Sequence, residues 1–510
     1  MKPSDHVVMP QLSAAPAATA ASSASSLRPG LEAAAELREA RTDLVRSPNV
    51  RLSHLRRLDE QLTQQLETLA GAGPVAVKRR VVDLTRPGDL FTQAVLAVEL
   101  REHARFDELL DLAEHELHIE QALASALGWT AGLPLQERMR QLLGSRNPVA
   151  RRIALSACAM HRVDPGAVLL PSLQASDPAL RAAAARTAAS VGRVDVVDIL
   201  LAGLDDPAQA PASKVMPLVT EVPADDDGPE SEFPSTEVIC FEDDDDEFAP
   251  VRNSRHDAEP RASSWPALPA SGSPAFGEAQ LRTDTRGWSA WAAVMLGDRG
   301  PALSTLQELA LGDTPMAVHA LPLYLRVCDL NDAHDVLRTL TRRGGATSRR
   351  RLIQGCGVVG DPLYLPWLMD MMTEDAWARL AGEAFSLITG ADLVALDLVR
   401  RRPEGITTRP GEYLTDADPG RIDDVQLPWP DRHSVSAWWN AQQAHFRVGR
   451  RHFMGASPSQ DRALDVLHNG FQRQRAAAAQ WLALLRPSSK LFPVRAPVRR
   501  QKRWLTEQGG

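Results

Sequence analysis

Three groupings of side chains in this sequence have types and spacings that could do chemistry. The first is His115-Glu116-Leu117-His118, flanked by Glu114 and Glu120. A zinc-protease helix needs its histidines four apart on one face with Glu after the first, although a spacing of three also lets two imidazoles reach one ion. Here they are three apart and no third ligand is evident, so the stretch reads as a solvated helix face. The second is Gly355-Cys356-Gly357-Val358-Val359-Gly360, which satisfies G-x-G-x-x-G. A dinucleotide fingerprint must follow a β-strand and open a helix. Arg351-Leu352-Ile353-Gln354 precedes it in a helical pattern and Asp361-Pro362 follows, so the glycines read as a helix end and the turn between repeats. The third grouping is basic: Arg342-Arg343, Arg349-Arg350-Arg351, Arg400 to Arg402, Arg450-Arg451, and Arg495, Arg499, Arg500, Lys502 and Arg503. On one shared face these would bind phosphate backbones or an acidic protein. Taken singly, near repeat turns, they would cap helix C-termini.

No G-x-S-x-G elbow occurs and no Cys pairs recognisably with His and Asp. Asp370, Glu374, Asp375 and Glu383 read as helix caps and solvated faces, with Asp375 an N-cap. We therefore assign no catalytic, metal or cofactor-binding residue, and the chain reads as a non-enzyme.

The elements that would position such residues are helical. The chain has 510 residues, 44% apolar and 24% charged, with a formal net charge of −8. That composition is ordinary for a globular protein. Its wealth of Ala, Leu and Arg and its scarcity of Tyr favour helix over sheet. Cys158, Cys240, Cys328 and Cys356 are too scattered for a disulfide framework or zinc site, and read as reduced thiols of a cytoplasmic protein, three packed in helices and one in a loop. No apolar run reaches the roughly 18 to 20 residues of a membrane span.

Residues 1–30, rich in Ala and Ser, read as a disordered N-terminal tail. Leu52, Leu55, Leu58, Leu62, Leu66 and Leu69 form one helical stripe, read as the first helix of an array, with Arg56, Arg57, Asp59, Glu60 and Gln64 off it. Within residues 31–206, three similar openings recur: Asn147-Pro148, Asp177-Pro178 and Asp206-Pro207. Each sets an Asx cap before a Pro at the first helical position. Arginine and then alanines follow the first two, the alanines forming a close-packed side. A spacing of about thirty residues is a helical-repeat period. The pattern resembles HEAT-type repeats, including the alanine-rich kind related to phycobilin-lyase repeats.

Composition then shifts. Val215 to Val251 holds no Lys or Arg, and Asp225-Asp226-Asp227 and Glu242-Asp243-Asp244-Asp245-Asp246-Glu247 sit among Pro, Ser and Gly. Residues 207–280 read as a disordered acidic insertion, unable to bury enough apolar area to offset ordering. An unbroken Asp run lacks the alternate spacing of a calcium loop. Helical patterning resumes over 281–402. Its clearest unit is Gly360 to Gly390, two short amphipathic helices opened by Asp361-Pro362 and closed by Gly390. The insertion thus interrupts one α-solenoid and does not join unrelated domains. Residues 403–510 read as a Pro- and Trp-rich loop segment, then C-terminal helices with a basic tail.

LDEQL at 58–62, SALGW at 125–129, GVVGDPLYLPWL at 357–368, ARLAGEAFSLITG at 378–390, LPWPD at 427–431, SAWWN at 436–440, GRRHFMG at 449–455 and FQRQRAAAAQWLAL at 471–484 together resemble a family of proteobacterial HEAT-repeat-like proteins with no established activity. The resemblance covers most of residues 45–505 and departs at the acidic block. It implies an all-α solenoid and an association with type VI secretion accessory proteins. The leading expectation is a scaffold, adaptor or chaperone-like protein holding a protein partner. Trp429, Trp438, Trp439 and Phe446 are its candidate anchors and Arg349, Arg350, Arg351, Arg450 and Arg451 its candidate charged contacts, since buried aromatics and Arg dominate interface energies. The alternative is a repair-type nucleic-acid-binding protein whose basic C-terminal half is masked by the acidic insertion.

Overall fold

The computed structural model describes residues 17–74, 86–205, 280–404 and 424–509. These are all-α; the β pairing among the described residues is confined to two isolated antiparallel bridges, Val399 with Pro430 and Phe453 with Ala456. The insertion expected at 207–280, with the third Asx-Pro opening and Cys240, lies outside the described residues up to 279. So does part of the expected loop segment, residues 405–423.

A hairpin opens the chain, α1 (Ala17–Arg46) and α2 (Leu52–Gly71). α1 begins inside the stretch expected to be a disordered tail. The reason is packing: Leu27 and Leu31 rest on the core, and Gly30 lies against Leu69. The leucine stripe forms α2, with Leu55, Leu62, Leu66 and Leu69 buried. α2 is the second helix of the array, not the first. Asp59, expected off the stripe in solvent, is buried and paired with Arg41 at 2.6 Å.

Then follow α3 (Pro87–Glu99), α4 (His103–Ala113), α5 (Leu117–Trp129), α6 (Gly132–Leu143), α7 (Pro148–His161), α8 (Leu169–Leu173), α9 (Pro178–Val191) and α10 (Val197–Ala202). After residue 280 come α11 (Thr285–Met295), α12 (Pro301–Leu311), α13 (Ala317–Val327), α14 (Leu330–Arg343), α15 (Gly345–Val359), α16 (Leu365–Met371) and α17 (Ala378–Thr389). Each odd-numbered helix from α3 to α17 packs on the next odd one, and each even helix from α4 packs on the odd helix that follows it. α1 packs on α3 at the head of this row. α11 packs on both α9 and α10, and one hydrophobic core contains residues from both sides of positions 206–279.

Local chemistry explains the row. Asn147 accepts from the Val149 N–H at 2.8 Å and Asp177 from the Ala179 N–H at 2.8 Å, closing the two described Asx-Pro caps. Ala154 and Ala157 on α7, and Ala182, Ala185 and Ala188 on α9, are fully buried, so neighbouring helices approach closely. Two glycines of the G-x-G-x-x-G stretch sit inside α15 and not at a turn. A Cβ on Gly355 would stand 2.6 Å from Leu337 and one on Gly357 2.9 Å from the Ala384 backbone. Gly360 and Gly390, both at φ 75°, end α15 and α17 in the left-handed region. Asp361 caps a 3-10 turn, Pro362–Tyr364, which leads into α16. Asp375 does not cap α17; it pairs with Arg400 at 2.7 Å.

Four more helices follow among the described residues: α18 (Arg432–Gln442), α19 (Gln460–Asn469), α20 (Gln472–Leu485) and α21 (Val498–Gly509). α19 and α20 form a hairpin around a separate apolar cluster that includes Phe453, Leu467, Trp481, Phe492 and Leu505. This hairpin returns to the start of the chain, because α20 touches α1, α11 and α13 and α21 touches α2. No helix among the described residues is long and apolar enough to cross a membrane.

Candidate binding surface

The arginines expected to share one face diverge, because Arg349, Arg350 and Arg351 point about 100° apart around α15 and Arg450 and Arg451 lie in the non-helical stretch before α19. Arg350 is buried and makes a bidentate pair with Asp424, both bonds 2.7 Å. Arg351 donates to the Gly312 carbonyl at 2.8 Å. Arg451 donates to the carbonyls of Leu325, Cys328 and Val359, at the C-terminal ends of α13 and α15. There the helix dipole favours a cation. Arg349 stays exposed near Glu374, and Arg450 is exposed. Of the five, Arg349 and Arg450 face solvent.

The aromatics divide in the same way. Trp429 is buried with the guanidinium of Arg379 4.9 Å and that of Arg400 5.4 Å from its ring centroid. Burial lowers the Arg379 pKa, and Arg402 and Arg350 lower it further, against the pull of Asp424. Trp429 and Arg350 are therefore part of the interior and not of the surface where they were expected. Trp438 is half-buried edge-on against Phe385, and Trp439, Phe446 and His452 form a chain of ring contacts with centroids 5.3 Å apart at each step.

This aromatic chain supports the segment from Gln443 to Arg450. Its anchor is Asp361, fully buried, whose Oδ1 accepts from the Leu363 N–H at 3.0 Å and the Gly449 N–H at 3.1 Å. His334 Nε2 lies 3.5 Å from the same carboxylate, and its Nδ1 meets the Tyr364 hydroxyl. Burial raises the Tyr364 pKa. The shared carboxylate brings Leu363, 53% exposed, to the same anchor as Val448, 64% exposed. Arg447 and Arg450 flank Val448 in solvent. The result is a set of exposed aliphatic and cationic side chains held near one buried carboxylate, next to the Trp439–Phe446–His452 rings. Sequence reasoning missed Leu363 and Val448 because lone aliphatics carry no signal of exposure.

His115 lies in the turn between α4 and α5 and His118 in the first turn of α5, so the two do not share the helix face that the sequence suggested. Among the described residues, no group of three or more His, Cys, Asp or Glu is placed to hold a metal ion. Cys158 and Cys356 are buried within helices and Cys328 is buried just past the end of α13. Burial pushes the Cys328 thiol up to about 11, which keeps it un-ionised and a poor nucleophile. No protein-family model, curated protein or solved structure matches this chain.

Proposed function

We propose that the chain is a cytoplasmic, non-enzymatic protein-binding scaffold built as an α-solenoid of HEAT-like repeats. The unbroken row of odd helices on both sides of residues 206–279 supports the architecture. The association with type VI secretion accessory proteins belongs to this proposal and rests on the motif resemblance alone. The partner contacts the surface formed by Leu363, Phe446, Arg447, Val448 and Arg450, with Trp439 packed on Phe446. The exposure of Val448 and Leu363 against one fully buried carboxylate carries this reading, since a rigid base reduces the ordering cost of binding. The nucleic-acid reading is weaker, because Arg350, Arg351 and Arg451 are engaged inside the fold.

The test uses the full-length tagged chain and a Val448→Asp, Arg450→Glu variant in native lysate. A specific protein retained by the first and lost by the second is the expected result. Recovery of nucleic acid alone, with affinity falling steeply as salt rises, would overturn the scaffold reading in favour of the alternative.

A further inference from the structure

Residues 486–497, between α20 and α21, form no helix or strand and carry Pro487, Pro493 and Pro497. They run across elements contributed by five parts of the array. Pro487 lies beside Gly297 after α11, and the Ser488 carbonyl presses on Gly192 after α9, where a Cβ would stand 2.6 Å from it. The Leu491 N–H donates to the Ser190 carbonyl at 3.0 Å, and Arg162, just after α7, donates to the Leu491 carbonyl. Arg41 of α1 donates to the carbonyls of Arg495 at 3.2 Å and Ala496 at 3.0 Å. The Val498 N–H donates to Asp59 of α2 at 2.6 Å, and Arg500 reaches the Gly128 carbonyl in α5 at 3.1 Å. Phe492 is buried in the α19–α21 cluster, edge-on to Trp504, and Val498 is buried against Val45, Val50 and Leu55 of the α1–α2 hairpin.

The array therefore grips this stretch largely through its main chain, with a side-chain pocket for Val498 in the hairpin. A peptide-recognition groove works in that way: main-chain bonds hold any non-helical chain and pockets choose the sequence. Arg162 strengthens the case. Burial, then Arg500, lowers its pKa to about 9, and its hydrogen bonds run to backbone carbonyls, those of Ala159 and Leu491. A buried guanidinium of this kind is built to hold peptide oxygens.

We infer that the ends of α7 and α9 with the α1–α2 hairpin form a peptide-binding groove, occupied in cis by residues 486–498. The groove accepts in trans a proline-containing, non-helical peptide with an aliphatic residue at the position of Val498. This deepens the scaffold reading and rests on it, but names a different surface. Occupation by the chain's own segment lowers the apparent affinity for a trans peptide by the fraction of time the groove is open.

The test uses full-length protein and a fluorescent peptide of residues 486–498. Hydrogen exchange of the wild type comes first. The amides of Leu491 and Val498 are expected to exchange through an opening that leaves α5, α7 and α9 protected, and excess free peptide speeds it. Exchange of those amides only together with the three helices overturns the inference. Second, Phe492→Ala is expected to bind the peptide about tenfold more tightly than wild type, because its cis competitor is weakened. Adding Arg162→Gln should remove the gain, and equal binding by wild type and Phe492→Ala also overturns it. Should Phe492→Ala fail to fold, the exchange measurement on wild type decides. A groove that never opens sinks this inference alone, since partner capture through Val448 and Arg450 is measured separately.

Discussion

Arg51 and Asp392 stand 341 positions apart in the chain and form an ion pair at 2.6 Å. Arg51 lies at the tip of the α1–α2 hairpin and Asp392 just past α17, the last helix of the row. Arg51 also donates to the Asn469 carbonyl and lies over the Phe471 ring at 4.2 Å, while the Gln472 N–H donates to the Val50 carbonyl at 2.7 Å. The start of the chain is thereby clasped to the end of the row through the α19–α20 hairpin.

The clasp pair is partly solvated, with side-chain exposures of 40% and 27%. Such pairs contribute about 0.2 to 1 kcal/mol. A double-mutant cycle of Arg51→Ala and Asp392→Ala in urea unfolding is expected to give a coupling in that range, vanishing near 1 M salt. A coupling well above it would mean the clasp is buried in solution.

The Arg350–Asp424 pair behaves differently because both partners are buried. Asp424→Ala removes both charge-assisted bonds from a buried guanidinium and is expected to cost about 3 to 5 kcal/mol. Replacing both residues by apolar ones of similar size should recover most of that loss. The denaturation midpoints of the single and double variants check it.

Gly360 and Gly449 have nearly the same backbone angle, φ 75° and 76°. A Cβ at Gly360 would stand 2.1 Å from the His452 carbonyl oxygen, whereas at Gly449 it would meet nothing within 4 Å. Gly449→Ala is expected to cost about 1 to 2 kcal/mol, the left-handed penalty alone. Gly360→Ala should cost at least about twice as much. Equal thermal shifts would show that the 449–456 segment yields freely.

His161 donates from Nε2 to the Leu127 carbonyl at 2.8 Å, which sets the Nε2–H tautomer and by itself favours the protonated ring. Burial, then Arg500, holds its pKa well below the usual 6.5. The unfolded chain takes up this proton first, so stability is full above about pH 6.5 and falls as pH drops below it. A melting temperature that declines from pH 7 to 5, with a shallower decline in His161→Gln, is the expected result. An identical slope would assign the decline to other groups.

The all-α class, the Asx-Pro caps at Asn147 and Asp177, the alanine faces and the glycine ends at Gly360 and Gly390 were legible in the sequence. Each depends on residues within one or two helical turns, so spacing alone carries the signal. The sequence also located the change at Val215–Val251 and the helical continuation beyond it. Tertiary structure decided which charges face water. Arg350 and Arg349 are adjacent in sequence, yet one meets Asp424 across 74 positions and the other is exposed. Arg451 closes helix ends 126 positions earlier. A side chain's partner at such separations depends on where the whole row places each helix end, and no local pattern encodes that position. For the same reason the route of residues 486–498 across the row could be seen only once the helices were stacked.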